Sequence, residues 1–297
     1  MLINVLKYRY VCFAYSFLLI AGFFVTYAFK SFNYSVEFAG GTQVMMRFSK
    51  AVTAEGLKKI LEQNPEEFKN PDVRVFNAKS DSSEQDALIR IKSYSTDAEG
   101  LAERMRQLFE KESDGVKVSV LQTDSVGAGV GSSLWWNSLV AVIISLILML
   151  IYIAFRFWSF GYALGAVLAL FHDAIVILFF FLLFDYEISA NVIGAILATL
   201  GYSINDTIVI FARIRENIAK MAGVDVETAV NIGINQTLRR TVLTSFATSL
   251  VVISLIIFGG ETLRPMSIAL MLGIVFGTYS SIYIASPVML LVRGSGK

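Results

Sequence analysis

One carboxylate inside an apolar run is the group best placed to do chemistry in this 297-residue chain. The stretch Gly201-Tyr202-Ser203-Ile204-Asn205-Asp206-Thr207-Ile208-Val209-Ile210-Phe211 holds Asp206 between Asn205 and Thr207, then ends in Arg213-Ile214-Arg215-Glu216-Asn217. An acid at membrane depth costs roughly 3 kcal/mol on insertion scales and more in simulations, so it is retained for a partner, an ion or a proton. His172 and Asp173 interrupt a second apolar run. Arg240, Thr241, Thr244, Ser245 and Thr248 form a polar stripe at helical spacing along a third. Asp206 precedes Arg213 by two helical turns, about 10 Å, so a comparable depth for Asp206 and Arg240 is expected. Desolvation favours a neutral acid and a nearby guanidinium favours the carboxylate. Moving the cation, or admitting water, would then load or unload a proton. The plainer alternative is a buried ion pair that only fixes helix packing, and for His172 with Asp173 a hydrogen-bonded packing pair.

Other chemistries are excluded by composition. One cysteine, Cys12, and one histidine leave no internal disulfide and no zinc site built from this chain's His and Cys alone. No metal site and no cofactor beyond a coupling ion, proton or sodium, is expected. The run Gly127-Ala128-Gly129-Val130-Gly131-Ser132 has no Walker lysine and leads directly into Leu134-Trp135-Trp136 instead of closing a βαβ unit. Gly127, Gly129 and Gly131 are therefore read as a hinge ahead of a span anchored by interfacial tryptophans. With no covalent nucleophile, metal cage or phosphate loop, the chain is not expected to be an enzyme.

The elements that must position these residues follow from hydropathy. The chain is 55% hydrophobic and 16% charged, against about 25% charged in soluble domains. The net charge of +1 points to no nucleic acid. Six spans are expected, at 10–29, 134–155, 160–184, 188–211, 241–258 and 266–292, each near the ~20 residues that cross a bilayer. Residues 212–238 are expected to be a solvated, partly amphipathic cytoplasmic connector. Lys7, Arg9, Arg156, Arg213, Arg215, Lys220, Arg239, Arg240, Arg293 and Lys297 fall on one side, and the short opposite loops carry Asp185, Glu187, Glu261 and Arg264. By the positive-inside rule both termini are cytoplasmic.

Residues 31–132, between the first two spans, have soluble composition and face outward in this layout. Period-two runs at 44–48, 72–79, 87–92 and 116–120, with helical spacing from 53 to 64 and 97 to 112, give the order βαββαβ. The fold class is thus an α-helical polytopic membrane protein carrying one α+β ferredoxin-like domain. Small residues recur four apart at Gly161, Gly165 and Ala169, at Gly194 and Ala198, and at Gly273, Gly277 and Ser281, spacing that lets helices pack closely in lipid. At 100° per residue His172 lies within about 20° of the Gly161 line and Asn205 equally near the Gly194 line, so both are expected to face the bundle.

Several stretches together resemble the SecF branch of the SecD/SecF family, relatives of the resistance-nodulation-division transporters. They are Val36-Glu37-Phe38-Ala39-Gly40-Gly41-Thr42, Gly129-Val130-Gly131, His172-Asp173, Gly201 to Asn217, Gln236-Thr237-Leu238-Arg239-Arg240-Thr241, Phe258-Gly259-Gly260-Glu261 and Gly277-Thr278-Tyr279-Ser280-Ser281-Ile282-Tyr283. The resemblance covers nearly the whole chain in order. It implies a bacterial inner-membrane subunit that works with SecD, the SecYEG channel and YajC on unfolded preproteins, using the proton-motive force. It also implies that Asp206 carries the proton, that Arg240 is its paired cation and that Thr244 is a polar neighbour; Asn205 adjoins Asp206. Three positions depart from the family pattern: Ala212 stands where an acid is usual, Arg239 adds a cation beside Arg240, and Glu37 replaces an aspartate. The rival readings are a proton-driven small-molecule exporter and a non-transporting assembly scaffold. The exporter is disfavoured because such proteins carry duplicated external domains in one chain.

Overall fold

The computed structural model describes residues 3–77, 84–113, 115–221 and 223–293. Contacts divide the chain into two units, Met1–Asn33 with Leu139–Lys297, and Tyr34–Ser138. The expected strand residues 78–79 and the C-terminal Lys297 lie outside the described residues.

The smaller unit is built on a four-stranded antiparallel sheet of β1 (Gly41–Phe48), β2 (Asp72–Asn77), β3 (Gln85–Ile91) and β4 (Val118–Val126), in the order β2-β3-β1-β4. Alternate residues of β1, Val44, Met46 and Phe48, are fully buried, as a period-two strand packed on one face requires. Against them lie α1 (Ala54–Glu62) and α2 (Ala98–Glu112), through Leu57, Leu61, Met105 and Phe109. Phe48 and Phe109 meet edge to face at 5.6 Å. Thr53 caps α1 by accepting from Gly56 N at 3.2 Å, and Asp97 caps α2 by accepting from Gly100 N at 2.9 Å. β4 runs six residues beyond the period-two signal at 116–120. A bulge opposite Met45 and Met46 shifts the register there, and pairing with β1 then continues through the polar residues Gln122 to Ser125.

Among the described residues, six helices are long and apolar enough to cross a membrane: Leu6–Phe29, Ala128–Phe157, Phe160–Leu183, Ala190–Lys220, Val226–Phe258 and Gly260–Val292. They are called the first to sixth spans. The last is α-helical to Ser280, makes one π turn over Ser281–Ala285, and resumes as Ser286–Arg293. Two differences from the expected layout have clear causes.

Residues 212–238 are mostly helical, because the fourth and fifth spans continue as a paired hairpin. Arg213 Nε donates to Gln236 Oε1 at 2.7 Å and Asn217 Nδ2 to the same oxygen at 2.9 Å, while Arg213 and Lys220 flank Glu216 at 2.5 Å each. Apolar groups lock the pair: a Cβ at Gly233 would fall 2.9 Å from Ile214 Cγ1, and Ile214, Val230 and Ile234 are fully buried.

The glycine run is also different. The second span begins at Ala128, so Gly129 and Gly131 lie inside a helix and Gly127 alone occupies the junction after β4. Gly131 serves close approach, since a Cβ there would fall 2.8 Å from the Phe38 carbonyl oxygen.

The N-terminal residues are stapled to the hairpin. Ile3 N donates to Asn235 Oδ1 at 2.9 Å, Val5 N to Asn231 Oδ1 at 2.8 Å, and Arg9 meets Glu227 at 3.0 Å.

Candidate functional site

Asp206 lies on the buried face of the fourth span with 6% of its surface exposed. Its Oδ2 is buried and accepts no hydrogen bond among the described residues. Arg240 is near enough for its charge to act on Asp206, but among the described residues no basic nitrogen lies within 4.0 Å of that carboxylate. The two groups do not form an ion pair. Leaving a buried acceptor unpartnered costs about 1–3 kcal/mol, and more for a charged one. Thr241 Oγ, on the fifth span, is a second buried oxygen with no partner among the described residues.

The other residues expected beside Asp206 are not buried with it. Asn205 is exposed, as are Arg239 and Arg240. Thr244 is exposed, and its hydroxyl donates to the carbonyls of Arg240 and Thr241 at 3.0 Å each. The Gly194 line does not face the bundle of this chain. Gly194, Ala198, Gly201 and Asn205 are all exposed, and a Cβ at Gly194 or Gly201 would meet nothing within 4 Å. The reason is physical. Small residues permit close approach to any helix, so their spacing does not say whether that helix belongs to the same chain.

The other two small-residue lines do pack internally. A Cβ at Gly165 would fall 2.5 Å from the Ala285 carbonyl oxygen of the π turn, and one at Gly277 would fall 2.9 Å from Ser203 Cβ.

His172 and Asp173 point inward, with 2% and 1% exposure. Asp173 Oδ2 accepts from Ser203 Oγ at 2.7 Å and Ser280 Oγ at 2.8 Å, and His172 Nδ1 lies 3.1 Å from Oδ1. Sequence reading did not assign Ser203, Ser280 or Ser281 to any site. Each is a small hydroxyl residue in an apolar helix, and the only signal was its distance in residues from other polar positions on the same face. Tyr202 OH also donates to Ser245 Oγ at 3.3 Å, and Ser245 Oγ lies 2.6 Å from Thr278 Oγ, linking the fourth, fifth and sixth spans.

Residues 106–295 match the family model described as protein export membrane protein SecD/SecF, C-terminal. The chain belongs to the SecD/SecF family. It is 39% identical over 293 residues to the protein translocase subunit SecF of Sebaldella termitidis, covering 98% of this chain and 92% of that one. It is 38% identical over 269 residues to the protein translocase subunit SecDF of Thermus thermophilus, covering 90% of this chain but 35% of that one. The crystal structure of SecDF, a translocon-associated membrane protein from Thermus thermophilus, superposes with a TM-score of 0.87 at 33% identity. The match takes in 99% of this SecD/SecF-family chain and 39% of the SecDF chain.

Proposed function

We propose that this SecD/SecF-family chain is an accessory subunit of the Sec preprotein translocase. With a SecD-type partner it uses the proton-motive force to drive or complete export of unfolded proteins through a SecYEG-type channel, in contact with YajC. One observation carries the ion-coupling part: Asp206 is buried and its Oδ2 has no hydrogen-bond partner among the described residues. A group arranged so can take and release an ion as its surroundings change. Moving one charge through the membrane potential is worth about 2.3 kcal/mol per 100 mV, enough to bias a conformational equilibrium by tens of fold. Sodium would suit the same carboxylate, and the experiment below separates the two ions.

The chain is read as a multi-pass protein of the bacterial inner membrane with both termini cytoplasmic. The sheet-bearing unit is read as a ferredoxin-like domain on the outer side, because β1 and β2 flank β3 in a split βαβ order. Gly127, at the junction before the second span, is the position about which that domain would move. The open face of the fourth span supports a SecD-type partner, since Gly194, Gly201 and Asn205 would otherwise present a polar group and bare backbone to lipid. A SecDF relative carries both kinds of subunit name in one chain, which favours the same pairing.

The test is ion flux in vesicles reconstituted with this chain and its SecD-type partner. The reading expects flux of protons, abolished by Asp206→Asn. A scaffold would give no flux in the unmodified pair, and a sodium-coupled protein would give flux that follows sodium at constant pH.

A further inference from the structure

Two sets of buried polar groups in the membrane unit meet on one turn of the fourth span. In the first, polar groups from three spans converge on Asp173: the His172 ring beside it on the third, and the hydroxyl donors Ser203 on the fourth and Ser280 on the sixth. In the second, Thr207 Oγ and Ser281 Oγ lie 2.8 Å apart, and each lies 3.2 Å from the Ser203 carbonyl oxygen. All these side chains are no more than 2% exposed. The turn from Ser203 to Thr207 is therefore held through its side chains to the third and sixth spans, and Asp206 belongs to that turn. The sixth span leaves α geometry at the same level. Its π turn begins at Ser281, whose carbonyl accepts from Ser286 Oγ at 3.2 Å. Single π turns within α-helices are frequent at functional sites.

We propose that Asp173 is a positioning residue for the Asp206 site: through Ser203 and Ser280 it fixes the Ser203–Thr207 turn against the sixth span, and so sets the orientation in which Asp206 exchanges its ion. The proposal deepens the reading above and rests on it in taking Asp206 as the coupling acid. A carboxyl group suits the task because its two oxygens can meet both serine hydroxyls and the His172 ring at once. An amide at the same place has one accepting oxygen and an NH2 group that faces a donor. Of the titratable and charged groups, Arg240 of the fifth span acts on Asp206, His172 touches Asp173, and Tyr279 of the sixth span packs on the His172 ring with Cys12 and Tyr15 of the first span beside it. Tyr279 lies 5.9 Å from the His172 ring, donates to the Cys12 carbonyl at 2.8 Å and meets Tyr15 edge-on.

The experiment is pH-difference infrared spectroscopy of the full chain in lipid bilayers, with the Asp206 carboxyl band assigned by its loss in Asp206→Asn. In Asp173→Asn the midpoint of that band is expected to move by tenfold or more in proton concentration. Ser203→Ala and Ser280→Ala, which remove one donor each and leave Asp173 in place, are expected to move it in the same direction by a smaller amount. These two variants also keep the test open if Asp173→Asn does not insert. A midpoint within twofold of the unmodified chain in the serine variants, or the absence of any titrating Asp206 band, overturns the proposal. A purely structural tie would lower thermal stability without moving that midpoint. The measurement needs neither partner nor preprotein, so its failure is distinct from a failure of the export reading.

Discussion

Gly277 of the sixth span sits so close to Ser203 of the fourth that a Cβ on the glycine would fall 2.9 Å from Ser203 Cβ. The absence of a side chain at 277 is what lets the Ser280 hydroxyl, one turn on, reach the carboxylate that Ser203 also serves. Gly277→Val is therefore expected to destabilise the bundle by about 1–3 kcal/mol, the usual cost of overpacking. Thermal unfolding in mild detergent measures this, and an unchanged midpoint would show that the two spans can separate freely.

The contrasting glycine is Gly201, where a Cβ would meet nothing within 4 Å among the described residues. Gly201→Leu should leave the chain's own stability within about 0.5 kcal/mol, as for substitutions away from packed features. It should nevertheless reduce co-purification with a SecD-type partner severalfold. Retention of the partner at wild-type yield would place the interface on another face.

The N-terminal staple predicts a local effect. Asn235 accepts from Ile3 N and donates to the Ile3 carbonyl at 2.7 Å, and Asn231 accepts from Val5 N. Asn235→Ala removes bonds worth about 1 kcal/mol, so amide exchange at Ile3 should rise roughly fivefold while the hairpin core is unaffected. Equal exchange in the variant would mean that burial of Val5 and Leu6 alone holds the segment.

A pH prediction concerns the sheet-bearing unit. The Arg106 guanidinium donates to Glu103 at 2.8 Å and 2.5 Å, with a further bond from Gln107, and holds the Glu103 carboxyl down at about 2. A depressed folded value means that its contribution to stability is present above the ordinary carboxylate value of 4.5 and is lost as pH falls from there through about 2. Carbon-13 NMR of labelled glutamate should show this low midpoint, and Arg106→Ala should return it toward 4.5. A Glu103 that titrates normally beside Arg106 would show that solvent screens the pair completely.

Much of the architecture was legible from residue order. Six long apolar helices follow from run length, and the buried side of β1 follows from the alternation of Val44, Met46 and Phe48. Facing was harder. Helical arithmetic places Asn205 near Gly194, but it cannot say whether that line meets this chain or another, and here both residues are exposed. Nor does spacing reveal Ser203 and Ser280, 77 residues apart, as donors to one oxygen, because a lone serine in an apolar helix usually bonds its own backbone. The hairpin over 212–238 was hidden by its polarity: Arg213, Asn217 and Gln236 read as solvated residues, yet they bond to one another across two helices.

The most direct measurement is export in inverted membrane vesicles carrying Asp206→Asn, with the ion gradient intact and then collapsed. The chain's proposed role requires that the variant export at the same reduced rate in both conditions, because no group remains to couple the gradient to movement. A variant that still gains as much from the gradient as the unmodified chain would contradict the assignment of Asp206 as the coupling acid.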